Sequence, residues 1–204
     1  SGFAMLSVVY RGPLMVLVET SSPITSLKEL VQRSLELPGG FDYASPGAGS
    51  SQHLTAELFK RATGARLNHV PNKGSGQAAT LLLGKHVPVL FEVTSAALPF
   101  VRSGQMRALG LSGAQRLAVL PNVPTFAEAG FPGLVMEGWL CMVAPAGVPA
   151  PVRQRLSDEI RRIMASSEVQ GIVANMAGFA ETMTAEQSTI YVREENARWG
   201  EVIR

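Results

Sequence analysis

The sequence has almost no cysteine, no long apolar run and no excess of one charge, and each of these features excludes a class of protein. Cys141 is the single cysteine among 204 residues, so no disulfide can form within the chain. This fits a reducing compartment and fits a cysteine-poor exported protein equally well. No apolar segment reaches the ~18 residues needed to span a bilayer. The first residues also lack the basic lead and small-residue cleavage site of a secretory signal.

Charge is nearly balanced along the chain. Lysine and arginine number 18 against 16 aspartates and glutamates, which leaves a formal net charge of +2. The arginine cluster in residues 153–162 also contains Asp158 and Glu159, so it is typical of a solvated helix face. We therefore expect no nucleic-acid partner. Hydrophobic residues make up 46% of the chain, enough for a substantial core in one or two domains.

Motifs for metals, nucleotides and nucleophilic catalysis are also missing. His53, His69 and His86 show no metal-ligand spacing with one another or with carboxylates. The glycine-containing loop at residues 47–52 lacks the third glycine of a dinucleotide fingerprint and does not form a nucleophile elbow. We expect neither a metal nor a cofactor.

Residues 41–53 form the most informative stretch. The pattern predicts a short strand ending at Ala44, a tight loop of small residues, and a helix that opens at Ser50 or Ser51 and runs to residue 63. Glycines allow close backbone approach, and a helix start leaves N–H groups without intrahelical partners, so an anion would be favoured there. The simpler alternative is an ordinary turn followed by a serine cap.

The same arrangement recurs about 27 residues later in the chain. Residues 65–71 read as a strand, residues 72–76 as a second loop of small residues, and residues 77–83 as a helix. A third strand over residues 87–91 is followed by polar Glu92 and Thr94. Two adjacent parallel strands would bring both loops to one sheet edge, where open α/β proteins bind ligands.

The remaining chain predicts strands mostly before residue 144 and helices after it. Gly12-Pro13 should separate two strands, and Thr125 should cap a helix of one to two turns. Another strand is expected over residues 106–111, and the apolar run 134–144 fits a buried strand or a crossover between lobes. Helices are expected over residues 27–35, 152–165, 167–176 and 185–203. The proline-rich residues 145–151 have the composition of a linker.

No acid–base pair stands out, so an enzyme is not expected. His53 on the first helical turn could touch an anion or could serve in capping or packing. His69, inside a strand, is typical of a structural histidine, and His86 of a turn residue. Lys73 could pair with a ligand carboxylate or stand exposed without a partner. An enzyme acting on a small carboxylate, with Glu92 or His53 as base, remains an alternative.

Motifs along nearly the whole chain resemble one known family. They are Tyr43-Ala44-Ser45, Gly47, Gly49-Ser50-Ser51 and His53; His69-Val70-Pro71 with Lys73-Gly74; Leu120-Pro121, Val123-Pro124-Thr125 and Glu128-Ala129-Gly130; Ala144-Pro145-Ala146-Gly147 with Pro149; and Trp199-Gly200. They are similar to motifs of the periplasmic solute-binding receptors of tripartite tricarboxylate transporters, often called the Bug family. Because they occur in the expected order, the resemblance is more specific than any single loop.

The resemblance implies an α/β, type II periplasmic-binding-protein fold in which two lobes close over a small carboxylate. Residues 20–137 would form lobe 2, which holds the ligand, and residues 1–19 and 138–204 would be parts of lobe 1. It also implies a periplasmic location and membrane transporter subunits as partners. The implied ligand-binding residues are Ser45, Gly47, Ala48, Gly49, Ser50, Ser51, His53, Asn72, Lys73, Gly74, Glu92 and Thr94.

The chain departs from the family pattern at three places. Asn72 stands where the family usually has tyrosine, and Glu92-Val93 where it usually has an Asp-Asn pair. The N-terminal part of lobe 1, with its own anion loop, is not in this sequence. A sheet without those strands would expose apolar surface, so we expect that the chain either self-associates through the truncated lobe or is a fragment whose missing part has been removed or never existed. A ligand held from one side only should also bind weakly. A cytoplasmic sensing domain of the same architecture and a non-binding family member are the alternatives.

Overall fold

The computed structural model describes residues 2–203, which divide into two compact units. The central unit is Pro13–Glu137, and the terminal unit joins Ser1–Gly12 to Gly138–Arg204. The elements in chain order are β1 Phe3–Glu19, α1 Leu27–Glu36, β2 Phe41–Ser45, α2 Ser51–Thr63, β3 Leu67–Pro71, α3 Ser75–Leu83, β4 Val89–Val93, α4 Thr94–Arg102, β5 Met106–Leu111, β6 Glu137–Pro145, α5 Ala150–Met164, α6 Ser167–Asn175, β7 Phe179–Ala180 and α7 Ala185–Ile203.

The central unit is built on a mixed sheet with the strand order β3-β2-β4-β1-β5. Strand β2 is parallel to both β3 and β4, whereas β1 is antiparallel to β4 and β5. The carboxyl ends of β2, β3, β4 and β5 therefore lie at one edge of the sheet. The loops that follow these strands share that edge.

Helices α1 and α2 pack on this sheet through apolar faces. Leu27 and Leu30 of α1 are buried, and the ring of Phe59 on α2 lies 6.0 Å from that of Phe91 and 5.6 Å from that of Phe126. The buried cluster comprises Val16, Val18, Ile24, Leu27, Leu30, Tyr43, Ala56, Phe59, Ala65, Leu67, Val89, Phe91, Leu109 and Phe126. All of these residues belong to the central unit, whose sheet edge is consequently a rigid platform.

In the terminal unit, β6 and β7 pair with the first part of β1. Ser157 of α5 donates a hydrogen bond to the carbonyl of Leu6, and the amide of Val8 donates to the hydroxyl of Ser188. Among the described residues of α5, Ser157 alone is buried. Much of this unit's apolar side-chain surface therefore remains exposed.

Two sequence-based expectations about the elements are wrong. The two predicted strands around Gly12-Pro13 form the single strand β1. Proline is tolerated there because it lies where β1 changes partners, from β7 at Tyr10 and Arg11 to β4 at Leu14. The helix expected after Thr125 is a set of turns, although Thr125 and Glu128 exchange capping bonds as in a helix start.

The other elements lie close to their predicted positions. Helix α2 runs over the predicted residues, with Ser50 as its N-cap and Gly64 as a left-handed C-cap. Helix α3 begins two residues earlier than expected, and the short strand β7 was not predicted. Among the described residues, every helix is too short or too polar to cross a membrane.

Candidate functional site

Three helices begin at the same edge of the central sheet. Helices α2, α3 and α4 follow β2, β3 and β4, and the two parallel pairings place those strand ends together. Each helix start carries partial positive charge from the aligned peptide dipoles. This edge is therefore suited to an anion, provided that the first-turn amides are not already engaged.

The first loop, residues 45–50, is held by its own serines. The hydroxyl of Ser50 accepts from the amide of His53 at 3.2 Å and donates to the carbonyl of Gly47 at 2.7 Å. Ser45 is buried, and its hydroxyl lies 2.7 Å from Nε2 of His69. Gly49 has a φ of +78°, which favours glycine. These bonds fix the backbone that leads into α2.

The second loop, residues 72–74, is bonded directly to the first. The amide of Asn72 donates to the carbonyl of Ser45 at 3.1 Å, and the amide of Gly74 donates to that of Pro46 at 3.0 Å. The side-chain amide of Asn72 also donates to the carbonyls of Ser45 and Val70. Asn72 therefore supports the loops from within. The two predicted loops do lie side by side.

Several helix-start amides remain free to bind a ligand. Ser50 caps α2, but α3 and α4 have no side-chain cap at their N-termini. Among the described residues, no acceptor is present for the amides of Ser51 and Gln52 in α2, Ser75, Gly76 and Gln77 in α3, and Ser95 and Ala96 in α4. Free helix-start amides at one edge can together hold a carboxylate.

The predicted ligand-binding residues differ in what their side chains can offer. Ala48, Gly49 and Lys73 are exposed, and no salt bridge within the described residues includes Lys73. The partly exposed Ser51 directs its hydroxyl to the side-chain oxygen of Gln52. Thr94 is fully buried and donates to the carbonyl of Pro13 at 2.6 Å, so its hydroxyl is already engaged.

Glu92 is the buried acidic group of this region. Its Oε1 accepts from Nε2 of Gln52 at 2.7 Å and from the amide of Val93 at 2.8 Å. Gln52 is 7% exposed and was not identified from the sequence. The two residues are 40 positions apart, and no local pattern connects an early helix position with a strand end. The feature of the sequence that could have indicated Gln52 is its position next to the predicted helix start.

Beneath the first loop lies a cluster of rings. His69 stacks on His53 with the ring centroids 4.1 Å apart and on Tyr43 at 5.0 Å. Burial lowers the pKa of His69, and the neighbouring His53 adds to that shift. Burial raises the pKa of Tyr43, and the adjacent Glu57 carboxylate raises it further. Nε2 of His53 is 3.8 Å from Glu57, and its Nδ1 accepts from the amide of Gly49 at 3.2 Å. These contacts give His53 a supporting role in the loop.

Burial raises the pKa of Glu57 too, but hydrogen bonds from Lys60 and Tyr43 outweigh this, and the net pKa is lowered. The lowered pKa keeps Glu57 ionised beside the rings of Tyr43 and His69, whose shifts favour their neutral forms. Within the described residues, no three His, Cys, Asp or Glu side chains are grouped so as to hold a metal ion. The first-turn amides and the exposed ammonium of Lys73 are donors at this edge from which an anion could accept hydrogen bonds.

Comparisons with known proteins agree with this geometry. The family described as "Tripartite tricarboxylate transporter family receptor" matches residues 2–204. Protein BugT of Bordetella pertussis is 33% identical over 199 residues, which are 98% of this chain and 61% of BugT. The chain thus spans about three fifths of the length of this curated relative.

Solved structures match over almost the whole chain. Rpa4515 of R. palustris, solved with adipate, has a TM-score of 0.95 at 29% identity and covers 99% of this chain and 68% of its own. MatC from Rhodopseudomonas palustris, solved with bound malate, has a TM-score of 0.91 at 25% identity, with 99% and 70% covered. These matches confirm the predicted α/β fold of periplasmic binding proteins.

Proposed function

The chain belongs to the tripartite tricarboxylate transporter receptor family, and on that premise we propose that it is an extracytoplasmic solute-binding protein for a small carboxylate. The central unit, Pro13–Glu137, is the proposed ligand-binding lobe. Membrane subunits of a tripartite transporter are its proposed partners. The solved relatives with adipate and malate support a small carboxylic acid as ligand.

The observation that carries this proposal is the meeting of three helix starts at one edge, two of them without side-chain caps. A carboxylate there would accept hydrogen bonds from first-turn amides, and each charge-assisted bond is stronger than a neutral one. Lys73, exposed on the second loop, adds positive charge nearby. We propose the amide of Ser51, the ammonium of Lys73 and the first-turn amides of α3 as the main contacts, whereas the amide of Gly74 is already engaged by Pro46.

Binding without turnover is the proposed activity. The groups considered as bases, Glu92 and His53, both have structural hydrogen-bond partners in the protein. Incubation of the protein with adipate or malate should return the acid unchanged. The matched structures are described as transport and binding proteins, which supports the same proposal.

The first experiment is a thermal-melt screen against adipate, malate and other mono-, di- and tricarboxylates, with sulfate and phosphate as controls. A ligand at a hundredfold excess over Kd stabilises the folded state by about 2.7 kcal/mol. This corresponds to roughly 5–10 °C for a chain of this size. A selective shift supports the site, whereas equal shifts with sulfate and phosphate would reduce it to a general anion effect.

A charge placed at the start of α3 tests the location. Gly76 is exposed, and a Cβ built there meets no atom within 4 Å, so Gly76→Asp should fold normally. The added carboxylate should weaken carboxylate binding by about tenfold or more, equal to at least about 1.4 kcal/mol. Gly171→Asp, at an equally open position in α6, is the matched control and should bind as the parent does. Equal affinity in both variants would place the site elsewhere.

We also propose that the terminal unit associates with a second copy through its exposed apolar residues. Phe3 and Leu140 are 65% and 63% exposed, which is unusual for such large side chains in a folded unit.

A further inference from the structure

Within the described residues, one of the two carboxylate oxygens of Glu92 lacks a hydrogen-bond partner. The residue is 2% exposed, and Oε1 is fully engaged by Gln52 and by the amide of Val93. Oε2 is buried and has no hydrogen-bond partner among the described residues. No salt bridge in the described part of the chain includes Glu92. A buried carboxylate oxygen in this condition is unfavourable unless a donor reaches it.

Glu92 also lines a cavity of about 180 Å³ that lies between helices α3 and α4 and strands β4 and β5 and extends to the first turn of α3. Ser75 and Gly76 from the first turn of α3 form one part of the wall, and Ala96 and Ala97 of α4 form another. The rest of the wall is apolar, with Leu90 and Phe100 among its residues. The cavity is thus bordered by the first turn of α3, is walled mostly by hydrocarbon, and has Glu92 as its acidic group, with Ser75 as a second polar residue.

This combination distinguishes the two ends of a ligand. The amides at the start of α3 favour a carboxylate, whereas the carboxylate of Glu92 repels a second one and accepts from a hydroxyl or an ammonium group. The apolar wall suits the methylene chain between the two ends. The charge of Glu92 also offsets part of the positive potential of the helix starts, so a doubly charged acid gains less here.

We propose that Glu92 determines specificity, and that the ligand carries a carboxylate at one end and a hydrogen-bond donor, a hydroxyl or an ammonium, at the other. The inference rests on the proposed carboxylate-binding function and adds which class of acid is bound. Glu92 is buried beside the site and accepts from the ligand's donor. Gln52 is a positioning residue that holds its Oε1.

Length-matched acids test the proposal on the full chain. Calorimetric titration compares adipate with 6-hydroxyhexanoate and 6-aminohexanoate, and succinate with 4-hydroxybutyrate and 4-aminobutyrate. In at least one of the two series, the parent protein should bind a donor-ended acid at least about tenfold more tightly than its dicarboxylate, or about 1.4 kcal/mol. A parent protein that binds the dicarboxylate more tightly in both series overturns the proposal without any substitution.

The Glu92→Gln variant then assigns the preference to this residue. Glutamine keeps the shape and the acceptor for Val93 but is neutral and offers an amide donor, so the preference should disappear or reverse toward the dicarboxylate. Glu36→Gln, an exposed position on α1 with the same charge change, is the control and should keep the parent's ratio. An unchanged ratio in folded Glu92→Gln, checked by its melting curve, would contradict the role of Glu92.

The two proposals fail in different ways. If dicarboxylates bind well and Glu92→Gln leaves every ratio unchanged, the carboxylate site stands and the specificity role is wrong. If no acid of either series binds the parent protein, the proposed function fails and the role of Glu92 fails with it.

Discussion

His69, which contacts Ser45 of the first loop, makes the stability of the protein depend on pH. Its pKa is lowered by burial and by the neighbouring His53, so the folded protein holds it neutral where the unfolded chain, with a pKa of about 6.5, would be protonated. The unfolded state therefore binds more protons as the pH falls below about 6.5, and the free energy of unfolding decreases. The stability due to His69 is complete above that value and is lost as the pH falls through the folded pKa.

Urea denaturation from pH 7.5 to 5 measures this effect. The parent protein should lose stability over that range, and His69→Gln should lose less because the titrating ring is gone. His86→Gln, at an exposed turn, is the control and should follow the parent curve. Glu57, whose pKa is lowered, titrates only below the ordinary carboxyl range and does not contribute to this window. Parallel curves for the parent and His69→Gln would exclude His69 as the source.

At the scale of single residues, the sequence indicated which backbone segments form the edge but not which side chains pair across it. The sequence predicts Ser50 or Ser51 as the cap of α2, because the cap signal is local, and Ser50 is the cap in the structure. The bonds from Gln52 to Glu92 and from Thr94 to Pro13 join positions 40 and 81 residues apart. Such pairs depend on strand order, which hydrophobic periodicity does not specify.

At the scale of elements, Gly74 determines how α3 enters the site. It is the N-cap of α3 with φ +118° and ψ 167°, a region that is essentially restricted to glycine. Its amide also donates to the carbonyl of Pro46, which joins the two loops. A residue with a Cβ would have to strain here or move the start of α3. The geometry of the amides depends on this glycine.

Gly74→Ala should lower the free energy of unfolding by about 1–3 kcal/mol through backbone strain. Carboxylate binding should weaken as well, because the first-turn amides would shift. Gly171→Ala, in the middle of α6, is a matched control that should stabilise by up to about 1 kcal/mol through helix propensity. Urea denaturation and calorimetry measure both effects. An unchanged affinity in Gly74→Ala would show that the start of α3 does not contact the ligand.

Element boundaries were predictable where start and stop signals agree. Helix α2 has a serine cap, an apolar face and a terminal glycine, and it occupies the predicted residues. The Gly12-Pro13 break was wrong because a change of strand partners accommodates proline, and partners are not visible in one sequence. The two-residue strand β7 is too short to leave a periodic signal.

At the scale of the whole molecule, apolar burial is concentrated in the central unit. The large buried cluster lies entirely within Pro13–Glu137. By contrast, most of the exposed large apolar residues belong to the terminal unit. These are Phe3, Leu140, Met142, Val143, Val152, Leu156, Ile163, Ile172, Met176 and Ile190. On β6, Leu140 and Met142 are two positions apart and so share one face of the strand.

Exposed apolar surface of this kind favours association, since covering it removes hydrocarbon from water. We expect the mass measured by light scattering after size exclusion to rise with protein concentration. The double variant Leu140→Lys with Met142→Lys should lower that mass toward one chain. Leu35→Lys with Leu37→Lys adds the same two charges at apolar positions of the central unit that are 44% and 42% exposed, and it should not alter the mass. A single-chain mass at every concentration would refute association through the terminal unit, whereas equal effects of both pairs would indicate only a general effect of added charge.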